Sequence, residues 1–296
     1  MSAADKQYAR MKEFRLITLC CWVLVTLGGC ANLARQLRSF NTDVPASHQI
    51  GIETEAEQCR AQLDSEKPAT ESRLDKNSIK LFNWNIQKSQ NSGSLDDLGQ
   101  FSLDMDLVLI QEAALDEDLI AAVKHAKYWS FAPGYQTKEQ ITGVMTLSNA
   151  EPLVQCNLTN WEPWLRTPKA TSITEYGLEA SRKTLVVVNI HAINFTLGVK
   201  EFKKQLEQVQ QILVEHEGPI IVSGDFNTWR KQRVVLLDAM AQSLDLKPLI
   251  FDADHRRTAF GHHLDHIYVR DLAATETATQ VVYTSDHNPM SVNLSL

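Results

Sequence analysis

The chain has 296 residues, 44% of them hydrophobic and 22% charged, with 12 Gly, 9 Pro and 5 Cys spread along it. That composition excludes a collagen-like fibre, a cysteine-stapled miniprotein and a wholly disordered chain, and it suffices to bury a large core. The net charge is −7, and from Lys80 onward 26 acidic residues face 19 basic ones, which argues against a protein that grips nucleic acid through a broad basic surface.

Residues 1–29 read as an address. The apolar run 16–27 (LITLCCWVLVTL) is broken only by Thr18 and Thr26, follows Lys12 and Arg15, and leads into Gly28-Gly29-Cys30. This is the n-region, h-region and small-residue site of a signal peptide. It is shorter than the roughly 18 apolar residues that a bilayer crossing needs. Met11 is an alternative start, with Met-Lys-Glu-Phe-Arg as its n-region. Leu27-Gly28-Gly29-Cys30 resembles the lipobox of bacterial lipoproteins. The resemblance implies acylation of Cys30 and, with Ala31 next, attachment to the outer membrane facing the periplasm. The competing readings are a plain signal anchor and an apolar helix of a cytoplasmic protein.

Residues 30–78 show no sustained period and read as a tether, with one short helix near 53–63. Cys20, Cys21 and Cys30 belong to the leader. Cys59 and Cys156 remain, and an oxidising periplasm would let them pair, but the place of Cys59 in a tether argues against a disulfide.

Residues 79–296 form the main domain. Short apolar or β-branched runs predict strands at 79–86, 107–110, 143–147, 185–190, 220–223, 265–269 and 280–283. Several are apolar on both parities, as strands covered on both faces are. Phe202, Leu206, Val209 and Leu213 predict an amphipathic helix over 199–217, stopped by Gly218-Pro219. Stacked sheets inside and helices outside are the economical arrangement, an α/β fold.

The polar residues sit in a pattern. Asn85, Glu112, His191, Asp225, Asn227, Asp265 and the pair Asp286-His287 each fall at or beyond the end of a predicted strand, where side chains emerge at a sheet edge. Singly, each has an ordinary structural explanation, as a turn cap, a solvated acid or a core histidine; together they mark a site.

The blocks Phe82-Asn83-Trp84-Asn85, Leu109-Ile110-Gln111-Glu112, Val188-Asn189-Ile190-His191, Ser223-Gly224-Asp225-Phe226-Asn227, Leu264-Asp265-His266-Ile267 and Ser285-Asp286-His287-Asn288-Pro289 resemble, in order, those of the endonuclease/exonuclease/phosphatase superfamily. Asn189-Ile190-His191-Ala192 and Gly143-Val144-Met145-Thr146-Leu147-Ser148 resemble a small bacterial branch of it. The resemblance implies a four-layer αββα sandwich of two mixed β-sheets flanked by helices, a monomeric catalytic domain, and hydrolysis of a phosphoester by in-line attack of water.

Such chemistry needs a metal to neutralise phosphoryl oxygens, a base for the water, and an acid or cation for the developing charge. Carboxylate and amide oxygens select Mg²⁺ or Mn²⁺ over zinc. Glu112 and Asn85 are the candidate ligands, and Asp286 either touches a second metal or holds its loop. The resemblance gives Asp225 the proton of the attacking water and Asn227 its orientation. His287 and His191 are expected to flank the phosphate, and the resemblance implies Asp265 behind His287 and Glu139 as the candidate partner of His191. Arg230, with Lys231 and Arg233, offers a grip for a second phosphate, as do Arg256 and Arg257, unless these are solvated faces. Trp161 and Trp164 form an aromatic rim for a base or a lipid surface, or anchor a loop. The fold does not choose among nucleic acid, phosphorylated small molecules and lipids. A nuclease-like phosphodiesterase is the first expectation, a phosphomonoesterase or phospholipase the second, and an inactive binding module the third.

Overall fold

The computed structural model describes residues 48–63, 65–67 and 72–296. The leader with Cys30 and the tether up to residue 47 lie outside them. The elements in chain order are β1 His48–Ile50, α1 Ala56–Leu63, β2 Ile79–Asn85, α2 Ser94–Phe101, β3 Leu107–Ala114, α3 Glu117–Ala122, β4 Tyr128–Gln136, β5 Ile141–Ser148, β6 Val154–Trp161, β7 Pro168–Gly177 and β8 Thr184–His191. There follow α4 Lys200–Leu213, β9 Ile220–Asp225, α5 Lys231–Ser243, β10 Lys247–Pro248, β11 Thr258–Ala259, β12 His262–His263, β13 Asp265–Arg270, β14 Ala273–Thr279 and β15 Met290–Ser295.

Two mixed sheets carry the domain. One runs β1-β4-β5-β3-β2-β15-β14 and the other β10-β13-β9-β8-β7-β6. Between them Leu81, Leu109 and Val292 of the first sheet pack on Val187, Ile221 and Ile267 of the second. On the second sheet's outer face Val188 and Val222 meet Phe202 and Val209 of α4 and Leu237 of α5. On the first sheet's outer face Phe101 of α2 lies 6.0 Å from Phe82 and 6.2 Å from Trp84, centroid to centroid. These four layers are the expected αββα sandwich.

The period of two along the strands decides where the site falls. Inward-facing positions read Ile79, Leu81, Asn83, Asn85 on β2, Leu185, Val187, Asn189, His191 on β8, and Ile221, Ser223, Asp225 on β9. Each strand is apolar at one end and polar at the other. β2 pairs parallel to β3 and β8 parallel to β9, and β13 runs antiparallel to β9, so its first residue Asp265 is opposite Asp225. All the polar ends therefore gather at one edge of the sandwich. Just below that edge, Gln111 Nε2 donates to Asn83 Oδ1 at 3.0 Å and to Asn189 Oδ1 at 2.7 Å, and Ser223 Oγ donates to Asn83 Oδ1 at 2.9 Å. This buried network ties the two sheets together and separates the apolar core from the site.

Several expectations need correction. The tether read over 30–78 joins the domain at His48, where β1 pairs parallel to β4. The helix near 53–63 forms as α1, and Cys59 on it is bonded to Cys156 of β6, contrary to the sequence expectation. The strand expected at 280–283 is a loop with Val281 and Tyr283 exposed; the neighbouring strand is β14, whose Ala- and Thr-rich residues are largely exposed at the sheet edge. The helix expected over 199–217 runs Lys200–Leu213 only; past its end His216 N donates to Leu213 O, and Arg270 Nη2 of β13 donates to the carbonyls of His216 and Gly218, the latter at 2.8 Å. The disulfide closes a sequence separation of 97 residues. Reducing it, or the double change Cys59→Ser and Cys156→Ser, is expected to lower stability by about 2–4 kcal/mol. Melting with and without reductant reads this, and an unchanged Tm would contradict it.

Candidate active site

Asp225 is the hub. Its carboxylate is buried and accepts from Asn227 N at 2.9 Å and from Asn85 Nδ2 at 3.1 Å. Asp225 Oδ2 lies 3.6 Å from His191 Nε2 and 3.9 Å from His287 Nε2, between the two imidazoles. On the far side of His287, Nδ1 sits 2.7 Å from Asp265 Oδ2. Ser285 holds the His287 loop, donating through Oγ to Asn85 O at 2.7 Å and accepting from His287 N at 3.1 Å. Trp84 Nε1 donates to His287 O at 2.8 Å. Residues of both sheets thus fix one constellation.

The backbone is bent where these groups emerge. Glu112 has φ 50° in a register shift between β3 and β5, and Asn227 has φ 50° just past β9. Left-handed conformations at residues with side chains carry strain, and such strain clusters at functional sites. Gly224 has φ +149°, and a Cβ there would meet Ile190 O at 2.0 Å. Only glycine lets β9 lie against β8 so closely that Asp225 pairs with His191.

The two histidines are set to opposite charge states. Burial alone would lower the His287 pKa, but the charges of Asp265 and Asp225 and the hydrogen bond to Asp265 raise it to about 10, so the ring is a cation at neutral pH. Burial and the Lys169 charge hold His191 well below its ordinary value. Lys169 Nζ lies 2.9 Å from His191 Nε2, and an ammonium only donates, so this nitrogen accepts and the ring is neutral. Burial pushes the Asp225 carboxyl up, against the opposing charge of His287.

Beside this hub lies a polar cavity of about 440 Å³, lined among others by Glu112, Lys88, Lys169 and His191. Residues 82–287 match the model of a family described as Endonuclease/Exonuclease/phosphatase. The chain belongs to that family. Its enzymes are hydrolases of phosphoester bonds. A UPF0294 protein of Erwinia tasmaniensis is 39% identical over 219 residues, which span 74% of this chain and 81% of that one. Among solved structures, an endonuclease/exonuclease/phosphatase from Bacteroides vulgatus is similar with TM-score 0.58 and 17% identity, covering 75% of this chain and all of that one. Another from Beutenbergia cavernae has TM-score 0.58 and 14% identity, over 74% and 72%.

The residues present suit the divalent cation on which this family generally depends. Glu112 Oε1 is 3.8 Å from His191 Nε2 and Glu112 Oε2 is 4.0 Å from Lys88 Nζ, too long for hydrogen bonds, so its lone pairs stay open toward the cavity. Ligand atoms of Asp225, Asp265 and His287 lie within 4.8 Å of one another; the imidazolium of His287 has no lone pair to give a metal, so this group offers the two carboxylates, with Asp265 Oδ1 buried and without a hydrogen-bond partner. Hard oxygen donors in this number fit Mg²⁺ or Mn²⁺.

Structure and sequence expectation part at the periphery. Asp286 is exposed and stands outside the Asp225–Asp265–His287 group, although its charge helps raise the His287 pKa. Glu139 is exposed in the β4–β5 turn, where its N–H donates to Thr137 Oγ1; Lys169, not Glu139, meets His191. Arg230 stacks on Trp229 with its guanidinium 4.8 Å from the ring centroid and donates to Gly198 O. Arg233 is fully buried and spends its donors on the carbonyls of Ile193, Asn194 and Asn227. Arg256 is bound to Asp254 and to Asp265 O. Lys169 itself escaped sequence reasoning because β7, which presents it, alternates Thr and Ser with apolar residues and carries no long apolar run.

Proposed function

We propose that the chain is a divalent-metal-dependent phosphodiesterase that activates water with Asp225. The observation that carries this reading is the Asp225 carboxylate, held by Asn85 and Asn227 and set between the two histidines, of which His191 lines the polar cavity. Burial raises its pKa, which makes it a better base than an exposed aspartate. Asn227 orients the attacking water. The water oxygen bonds to phosphorus as the bond to the leaving oxygen breaks; Asp225 takes the water proton, and the leaving oxygen gains one from solvent. His287, kept cationic by Asp265, donates a hydrogen bond to a phosphoryl oxygen, and Lys169 adds a second positive charge. His191 stays neutral and aims Lys169.

Glu112 and Asn85 would hold the metal. When bound, Mg²⁺ or Mn²⁺ neutralises charge on the phosphoryl oxygens. Glu112→Gln removes a charged ligand, so the Mg²⁺ concentration giving half-maximal turnover should rise by about tenfold or more. A metal titration identical to the wild type would remove Glu112 from the site. The intact acid, base and histidine set weighs against an inactive binding module. The Cys59–Cys156 bond and the apolar leader support a place in the oxidising bacterial envelope, anchored through Cys30; palmitate labelling lost in Cys30→Ser tests the anchor.

A further inference from the structure

The polar cavity does not end at the catalytic groups. Leu165, Asn194 and Phe195 line both it and a second, larger cavity of about 660 Å³, which also reaches Asn227. The walls of this second groove are almost all carbon, from Trp164, Leu165, Phe195, Leu197, Trp229 and Phe260. Several of these stand far out of the surface: Phe260 is 87% exposed, Leu197 75% and Trp164 65%. Soluble proteins rarely leave so many large apolar side chains together in water without an occupant for them.

Each of the few polar side chains in the groove already makes a hydrogen bond within the protein. Asn194 Oδ1 accepts from Trp229 Nε1 at 3.0 Å, Thr196 Oγ1 donates to Gly198 O at 3.0 Å, and Asn227 Nδ2 donates to Ala192 O at 3.0 Å. A nucleobase would find only three polar side chains, each partly used, to read its edge. Nor do Trp229 and Phe260 form a parallel slot for a base: their rings tilt at 59°, with centroids 6.2 Å apart. The net charge of −7 further disfavours a polyanion. A polar cavity with cations, joined through a shared wall to an apolar groove, is complementary to an amphiphile with a phosphate at one end.

Resting on the phosphodiesterase reading, we propose that the groove takes an acyl chain of a membrane phospholipid whose phosphodiester lies in the polar cavity. The test uses methyl to octyl p-nitrophenyl phosphates with Mg²⁺, and phosphatidylcholine vesicles, on the wild type and on Leu197→Ser with Phe260→Ser. Quenching of tryptophan fluorescence by brominated phosphatidylcholine vesicles reports occupancy without turnover. The wild type should gain about threefold to fourfold in kcat/KM per added methylene, the factor that ~0.8 kcal/mol per buried methylene corresponds to. It should also hydrolyse the vesicles. The double variant changes two exposed residues, so it should melt normally while its chain-length slope and its quenching fall.

Turnover of the methyl ester with no chain-length slope would overturn the groove assignment and leave the phosphodiesterase standing. A slope without vesicle hydrolysis would overturn the membrane source. Faster cleavage of single-stranded DNA than of vesicles, lost in the double variant, would make the groove a base site instead. Quenching without any turnover would keep the groove and sink the phosphodiesterase, whereas neither quenching nor turnover would sink both.

Discussion

Asp225→Ala is expected to lower kcat on a phosphodiester by about 10²–10⁴ while the fold persists. That is the usual contribution of a positioned general base, and the geometry gives Asp225 that position. Its carboxylate is held by Asn227 N and Asn85 Nδ2, and burial raises its pKa. Asp225→Asn separates the roles, since the amide keeps the shape and loses the proton acceptor. Its kcat should fall nearly as far as that of the alanine variant, with KM less affected. A variant that turned over at the wild-type rate would remove Asp225 from the mechanism.

The second large effect belongs to the Asp265–His287 pair. His287→Ala should lower kcat by about 10² or more, by removing a cation from the developing phosphoryl charge. Asp265→Asn tests the cause of that charge. In the wild type, burial lowers the His287 pKa, the two carboxylates more than offset it, and the result is about 10. Activity that needs the cation should hold up to that pH and fall above it. Without the Asp265 charge, burial gains weight and the basic limb of the pH–rate profile should move down by a unit or more. The same raised pKa links to folding: the stability it contributes is fully present below the ordinary histidine value of about 6.5 and is lost as pH rises through about 10. A basic limb that stays in place in Asp265→Asn would show that Asp265 does not hold the proton on His287.

The site was legible because of where polarity breaks into apolar strands. Asn85, His191 and Asp225 end strands whose buried stretches are unmistakable in the sequence, and parallel pairing carries those ends to one edge. Lys169 was not legible, since the signal of β7 is weak and its role depends on a register with β8 that only the fold supplies. Glu139 and Arg230 were plausible by sequence neighbourhood, but one ends on an exposed turn and the other on Trp229. Cys59 gives no sign of its disulfide in the sequence, because α1 has little amphipathic pattern and holds to the domain through Cys59 and Leu63. The edge strand β14, poor in apolar residues, has no compositional signature at all.

Metal-dependent phosphodiester hydrolysis at Asp225 is open to a single assay. Purified protein is incubated with bis-p-nitrophenyl phosphate, with and without Mg²⁺, beside Asp225→Ala under the same conditions. The expected result is nitrophenol release that requires the metal and is nearly abolished in the variant. Release independent of metal, or equal in wild type and variant, would contradict it.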